Sequence, residues 1–307
     1  MKTIPRAALR SPFVLLATVL CCLPSRAQEK PLQPPPILGI SHVRFYVTQP
    51  QAAVHFYKDV LSLTPAKEGC ENAHFLCFWI SHSQFVQLDP VEQRRPTSFL
   101  EEVAFATPDL KGMRNFLVSN DVRPDLETKK SGRLTSFCVL DPEGNRVVFE
   151  EQQNARIAAN DHSVSSKLLH AGFVVKDLDR MKKFYIDLLG FRLYWYGGFK
   201  DDGVDWYEIR VPDGDNWIEF MLNISPTADH RELGVQNHFS LGVNSVTATA
   251  ARLRANGATN FDGPEIGRDG KNALDIYDPD LSRVEIMDFT PSQKPCCHPY
   301  TAPHPKP

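Results

Sequence analysis

Charge of one sign is what this chain most lacks: 34 Lys and Arg stand against 37 Asp and Glu over 307 residues, a formal net charge of -3. No basic run with interleaved aromatics occurs, so nothing in it points to nucleic acid or another polyanion as partner. Long apolar runs are missing as well. The stretch FVLLATVLCCL at 13–23 falls short of the roughly 20 residues that a membrane-spanning helix needs. Cysteine is sparse. Of seven, Cys21 and Cys22 lie in that stretch, and the five others, Cys70, Cys77, Cys138, Cys296 and Cys297, cannot all pair within one chain. Cys70 and Cys77 suit either a bridge or two buried thiols. What remains is an ordinary globular composition, 42% hydrophobic and 23% charged, with length for two cores.

The N-terminus follows the plan of a signal peptide. Lys2, Arg6 and Arg10 precede the apolar run, Pro24 ends it, and the small residues Ser25 and Ala27 suit cleavage before Gln28. The expectation is an exported protein, periplasmic or secreted, with no stable membrane anchor once the signal is removed. Leu20 disfavours a lipid anchor at Cys21 or Cys22.

The interior of the chain repeats itself. ISHVRFYV (40–47) matches LLHAGFVV (168–175), and HFYKDVLSL (55–63) matches KFYIDLLGF (183–191) at the same offset. FLEEVAFATPDLKGMRNFLVSNDV (99–122) and VQNHFSLGVNSVTATAARLRANGA (235–258) each read as a strand entering an amphipathic helix. They are followed by DPEGNRVVFE (141–150) and DPDLSRVEIM (278–287), strands entered through an Asp-Pro turn. The fold class expected is α+β: four βαβββ modules paired into two cupped mixed β-sheet halves. The divisions expected are a signal peptide at 1–27, a Pro-rich linker at 28–36, an N-terminal domain at 37–152, a linker at 153–166, a C-terminal domain at 167–289, and a disordered tail at 290–307. The tail KPCCHPYTAPHPKP is too rich in proline for a helix or central strand, and its Cys296, Cys297, His298 and His304 are not read as a site.

Alternation within the strands separates two faces. Leu169, Ala171, Phe173 and Val175 share one, while His170 lies with small Gly172 on the other. By the same parity Glu219 lies with Trp217 and Met221, His238 with Ser240 and Gly242, and Glu285 with Arg283 and Met287. A lone strand histidine is ordinarily a hydrogen-bonded core residue, and a lone glutamate a solvated one. Four of them at equivalent repeat positions make an N/O donor set suited to a divalent ion: zinc, nickel, cobalt, iron or manganese.

The N-terminal half supplies a control. Its matching slots hold His42, Gln87, Glu102 and Val148. Val148 offers no donor, and Arg44, on the face of His42, can pair with Glu102 as a fixed cation. No metal is expected there. Glu150 lies on the Val148 face as a remote donor.

At these residues the sequence resembles the vicinal oxygen chelate superfamily, which includes glyoxalase I, type I extradiol dioxygenases and the fosfomycin and bleomycin resistance proteins. The resemblance implies a metal held by first and last strands: His170 and His238 from the former, Glu219 and Glu285 from the latter. It implies a small-molecule substrate that chelates the ion through vicinal oxygens. As in bacterial glyoxalase I, a ligand glutamate would move the proton, and Glu285 is the expected base; homodimer formation stays open. Exported proteins rarely meet glutathione adducts, which favours an isomerase or lyase acting on another hydroxycarbonyl. The alternative is an extradiol-type dioxygenase using His170, His238 and Glu285 for iron, although Asp275 stands where that family commonly has a tyrosine and Glu219 adds a carboxylate. A third reading is a non-catalytic binding protein. Trp206 and Tyr207, in GGFKDDGVDWYE (197–208), are candidates to line the cup.

Overall fold

The structure is a computed structural model that describes residues 33–66, 74–93, 99–124, 129–131, 134–151, 160 and 162–307. The expected signal peptide at 1–27, Cys70, residues 28–32 and most of the expected linker at 153–166 lie outside the described residues. Among the described residues no helix is long and apolar enough to cross a membrane.

Each half is one eight-stranded mixed sheet. The first holds β1 (Gly39–Val47), β2 (Thr64–Pro65), β3 (Leu76–Trp79), β4 (Phe85–Pro90), β5 (Leu100–Thr107), β6 (Lys129–Ser131), β7 (Leu134–Leu140) and β8 (Arg146–Glu151), in the order β2-β3-β4-β1-β5-β8-β7-β6. The second holds β9 (Lys167–Val174), β10 (Arg192–Gly197), β11 (Trp206–Arg210), β12 (Trp217–Met221), β13 (His238–Val243), β14 (Phe261–Ile266), β15 (Asn272–Tyr277) and β16 (Arg283–Asp288), in the matching order β10-β11-β12-β9-β13-β16-β15-β14. In each, the module's first strand runs parallel to its last, and two first strands join antiparallel at the centre. This is the expected α+β arrangement of four modules in two cupped halves.

Helices α1 (Pro50–Val54), α2 (Leu110–Ser119), α3 (Leu178–Lys182), α4 (His230–Gln236) and α5 (Val246–Ala255) cover the outer faces or link modules. Asp177 caps α3, its Oδ1 accepting from Arg180 N at 3.1 Å. The helical pattern then widens: α1 and α3 continue as π-turns over His55–Val60 and Lys183–Leu188. Gly190 ends the second of these at φ +80°, and Gly257 follows α5 at φ +92°, backbone that glycine adopts without a Cβ clash.

One apolar core joins the halves, with Phe45 against Phe239 and Phe105 against Phe191. Each such buried ring contributes about 2 kcal/mol. The duplicated helix tyrosines tie the halves reciprocally. Tyr57 donates to Asp278 at 3.3 Å and Tyr185 donates to Asp141 at 3.2 Å, so each Asp-Pro turn is bonded by the other half's helix. Burial pushes the Asp278 carboxyl up to about 7.

Two sequence expectations change here. Leu169 leaves the outer face: the β9–β13 pairing slips between Ser240 and Leu241, and Leu169 joins Tyr194, Trp217, Met287 and Phe289 on the floor of the cup. Leu168 takes its place in the main core. The segment 290–307, expected as a disordered tail, is seated against the C-terminal sheet. Tyr300 packs on Tyr194 and Trp195, Pro305 is buried, and Cys296 is bonded to Cys297. Proline excluded regular structure there, but Tyr300, His298 and His304 supply flat faces that pack without it.

Candidate metal centre

The register brings the four polar slots of the C-terminal sheet together. His170 on β9 stands opposite Trp217 of β12 and Ser240 of β13, Glu219 and His238 both face Gly172, and Glu285 faces Ser240. His170 Nε2 lies 3.0 Å from His238 Nε2, 3.6 Å from a Glu219 oxygen and 3.3 Å from a Glu285 oxygen. His238 Nε2 lies 3.3 Å from Glu219 and 4.0 Å from Glu285. His170, Glu219 and His238 form the tightest group, and Glu285 completes it from the side of His170.

Gly172 makes this possible. A Cβ there would fall 2.2 Å from Cε1 of His238, so the imidazole occupies space that any other residue would fill. Helix α4, which the sequence reading missed although Asp229 caps it, ends beside His238. There Gln236 O lies 3.0 Å from His238 Nδ1, a contact that holds the ring with Nε2 turned inward.

These residues fit a divalent ion. Bonds of about 2.1 Å place neighbouring ligand atoms roughly 3.0–3.4 Å apart, which is the spacing of the closest donor pairs. Burial, reinforced by neighbouring cations, holds both imidazoles below their usual range, so both are neutral, as ligation requires. Burial also pushes Glu285 up to about 8, with Arg283 opposing and Asp275 and Glu219 adding to the rise. Such a cost is what a bound cation removes.

A cavity of about 130 Å³ opens beside Glu219 and Glu285. It is lined by Trp195, Trp206, Glu208, Arg268, Arg283 and Met287 among others. Arg283 Nη1 pairs with Asp275 at 3.3 Å, and its Nη2 lies 2.9 Å from both ring nitrogens of His238. Trp206 lines the cup as expected, but Tyr207 does not. It packs on the outer core under Lys182, because parity sends Trp206 and Glu208 inward together. Glu208 was missed, although the alternation in WYEIR already placed it on the face of Trp206. It is buried beside its cross-strand neighbour Glu219, and burial pushes its carboxyl well up despite Lys271.

In the N-terminal half the same register holds His42, Gln87, Glu102 and Val148. Arg44 stands where Gly172 stands in the other half. Its guanidinium reaches Glu102 at 2.8 Å and Gln87 at 3.0 Å, and His42 sits between Glu102 at 3.2 Å and Glu150 at 3.4 Å. A side-chain cation thus fills the place of an ion.

The charge of this cluster has a consequence for stability. Burial opposes charge on His42, but Glu150 and Glu102 outweigh it and raise the imidazole to about 9. Burial likewise opposes charge on Glu102, yet His42 and Arg44 hold it down at about 2. Stability from His42 is complete below 6.5, its ordinary value, and is lost as pH rises through about 9. Stability from Glu102 is complete above 4.5 and is lost as pH falls towards about 2. The cluster therefore contributes most between 4.5 and 6.5. Urea unfolding midpoints measured across pH are expected to fall on both sides of that window. In Glu102→Gln the acid-side fall should shrink, and an unchanged acid limb would remove the cluster from the account.

Fold and site together define a class: a protein of paired modules whose C-terminal cup carries a two-imidazole, two-carboxylate donor set. Residues 167–286 match the profile of the Glyoxalase/Bleomycin resistance protein/Dioxygenase superfamily. Over 125 residues, 40% of this chain, the sequence is 31% identical to a lactoylglutathione lyase of Haemophilus influenzae and covers 92% of that protein. A probable chloroplastic lactoylglutathione lyase of Arabidopsis thaliana is 26% identical over 133 residues, which is 43% of this chain and 38% of that longer one.

Solved structures agree on the fold. The Mn(II)-bound glyoxalase of Novosphingobium aromaticivorans superposes with a TM-score of 0.64 at 20% identity, covering 83% of each chain. A substrate complex of homoprotocatechuate 2,3-dioxygenase from Brevibacterium fuscum gives 0.63 at 19% identity, covering 83% of this chain and 82% of that one. The chain belongs to the Glyoxalase/Bleomycin resistance protein/Dioxygenase superfamily, the vicinal oxygen chelate proteins, whose members are mostly enzymes.

Proposed function

We propose that this chain is an exported, metal-dependent lyase or isomerase acting on a small hydroxycarbonyl compound, with His170, Glu219, His238 and Glu285 as the ligands. The observation that carries the reading is the convergence of four side chains from four strands, the Nε2 of each imidazole within 4.0 Å of both carboxylates. A divalent ion held there supplies Lewis-acid polarisation of a carbonyl, which lowers the pKa of the adjacent C–H. Glu285 takes that proton and returns it to the neighbouring carbon, so that hydrogen moves and nothing is oxidised overall. Arg283, two residues away on the same face, steadies the charge on Glu285. Trp195, Trp206 and Met287 line the cavity beside it and limit water. The leader at 1–27 supports export.

The dioxygenase reading would use His170, His238 and Glu285 alone. Glu219 counts against it, lying as close to His238 as Glu285 lies to His170. The test is elemental analysis of the purified protein, followed by hydroxycarbonyl turnover in D2O with and without restored metal. The substrates include both a glutathione hemithioacetal and a glutathione-free compound. Metal-dependent deuterium incorporation at the carbon that receives the proton is expected, without O2 uptake. Oxygen consumption with a catechol and no deuterium incorporation would sink the proposal.

A further inference from the structure

Residues 290–307 cross from one edge of the C-terminal sheet to the other. On the first side, Ser292 N and Gln293 N donate to Gly270 O, and Cys296 N donates to Arg268 O at 2.8 Å. The contact is close enough that a Cβ on Gly270 would fall 2.3 Å from Gln293 O. On the far side, His298 stacks on Tyr196 at 4.3 Å, Thr301 N donates to Tyr194 O at 3.0 Å, and His304 shares a hydrogen bond with the Tyr194 hydroxyl at 2.9 Å. Further along, Lys167 Nζ donates to Lys306 O at 2.8 Å.

Between the two stretches lies a sharp corner, and the Cys296–Cys297 bridge sits on it. His298 N donates back to Cys296 O at 2.6 Å across Cys297, whose φ is +65°. That is a γ-turn of the rare left-handed kind, in a region that L side chains avoid and keep only where their surroundings enforce it. Here the covalent bond to the preceding residue is the enforcement.

Behind the corner, the tail reaches the metal centre through a buried charge. Lys271 is fully buried, and its ammonium lies 4.5 Å from the Trp217 ring, 5.0 Å from Tyr300 and 5.5 Å from Tyr194. Tyr300 closes this aromatic box and donates its hydroxyl to Asp269 at 2.8 Å, while Asp269 stands 3.6 Å from Lys271. Trp217 in turn packs against His170 at 4.8 Å between ring centroids. The chain of contacts is Tyr300, Lys271, Trp217, His170. Such a box holds its cation most strongly while water is kept out.

We propose that residues 290–307 are a redox-latched strap across this cup, with the Cys296–Cys297 bridge as the latch and Tyr300 as the positioning residue through which its release reaches His170. A dithiol reductant gives two electrons and two protons: the S–S bond breaks, two S–H bonds form, and the reductant becomes its own disulfide. The corner at Cys297 then relaxes, Tyr300 leaves the box, and water reaches Lys271 and the back of Trp217. The His170 ring loses its rigid support, and the ion that the four ligands hold escapes faster. This last effect rests on the ligand set proposed above, but the latch itself does not.

The test uses the full chain, oxidised, reduced and freed of reductant, and as the Cys296→Ala/Cys297→Ala variant, which opens this bridge alone. Hydrogen exchange over 290–307 reads the latch, and transfer of bound Zn²⁺ to a chromophoric chelator reads the site. Exchange at 296–301 is expected to rise by about tenfold or more in the reduced and double-variant proteins, with several-fold faster Zn²⁺ transfer. Tyr300→Ala should reproduce the faster transfer with the bridge intact, whereas Tyr300→Phe, which keeps the ring, should stay near wild type. Unchanged exchange in both opened forms overturns the latch. Raised exchange with unchanged transfer overturns the link to His170. If no form binds Zn²⁺, the ligand set fails while the exchange result still decides the latch.

Discussion

Gly172→Ala is expected to lower metal content to a small fraction of the wild-type value while the chain stays folded. The added carbon would stand 2.2 Å from Cε1 and 2.4 Å from Nδ1 of His238, well inside contact distance, so the ring must swing off its ligand position. Swinging also breaks the Nδ1 contact with Gln236 O that holds the ring in place. Disturbing such a supporting contact typically costs about 10–100-fold in metal affinity, and moving the ligand itself costs more. Overpacking adds a stability loss of about 1–3 kcal/mol, which a folded domain of this size tolerates. Elemental analysis and a thermal melt on the same sample separate the two effects, and full metal content in a folded variant would show that His238 is not a ligand. The N-terminal half carries a large side chain at this position. With Arg44 at the matching position there is no imidazole opposite, only Glu102, and the arginine answers its charge at 2.8 Å.

His238→Ala removes a proposed ligand outright, and near-complete loss of metal is the expected result. The fold should survive, because Phe239 and Leu241 on the other face of β13 carry its packing and are fully buried in the main core. The vacated imidazole volume costs about 1–2 kcal/mol. His170 would then be left with Glu219 and Glu285 alone, and solvent would take the vacated fourth position, which weakens the hold on the ion. Metal analysis beside a circular dichroism spectrum checks both halves of the statement; equal metal in variant and wild type would remove all four residues from consideration.

Much of this was legible along the chain. The duplicated ISHVRFYV and LLHAGFVV, and the parity that separated His170 from Ala171 and Glu285 from Ile286, depend only on the two-residue period of a strand. The register then brought those same side chains together. The control in the other half was readable too, since Arg44 and Glu102 share a face by parity and pair in the structure. Parity failed where pairing slipped: one bulge residue in β9 carried Leu169 to the floor of the cup. In WYEIR the same parity turns Glu208 inward with Trp206 and sends Tyr207 out to the core. The tail was misjudged for another reason. Proline rules out hydrogen-bonded ladders, but it places no limit on how Tyr300 or His298 stack against rings that arrive from β10.

By itself, the sequence determined the module, its fourfold recurrence and the face on which each polar residue stands, because these follow from local periodicity and from turn residues such as Asp-Pro and Asn-Gly. Only the tertiary structure decided that the four donors stand within reach of one ion, that Gly172 clears the room for His238, and that Tyr300 seals a lysine behind His170. Those are distances between strands far apart in the chain, set by sheet register and by the closing of the cup, and no local pattern encodes them.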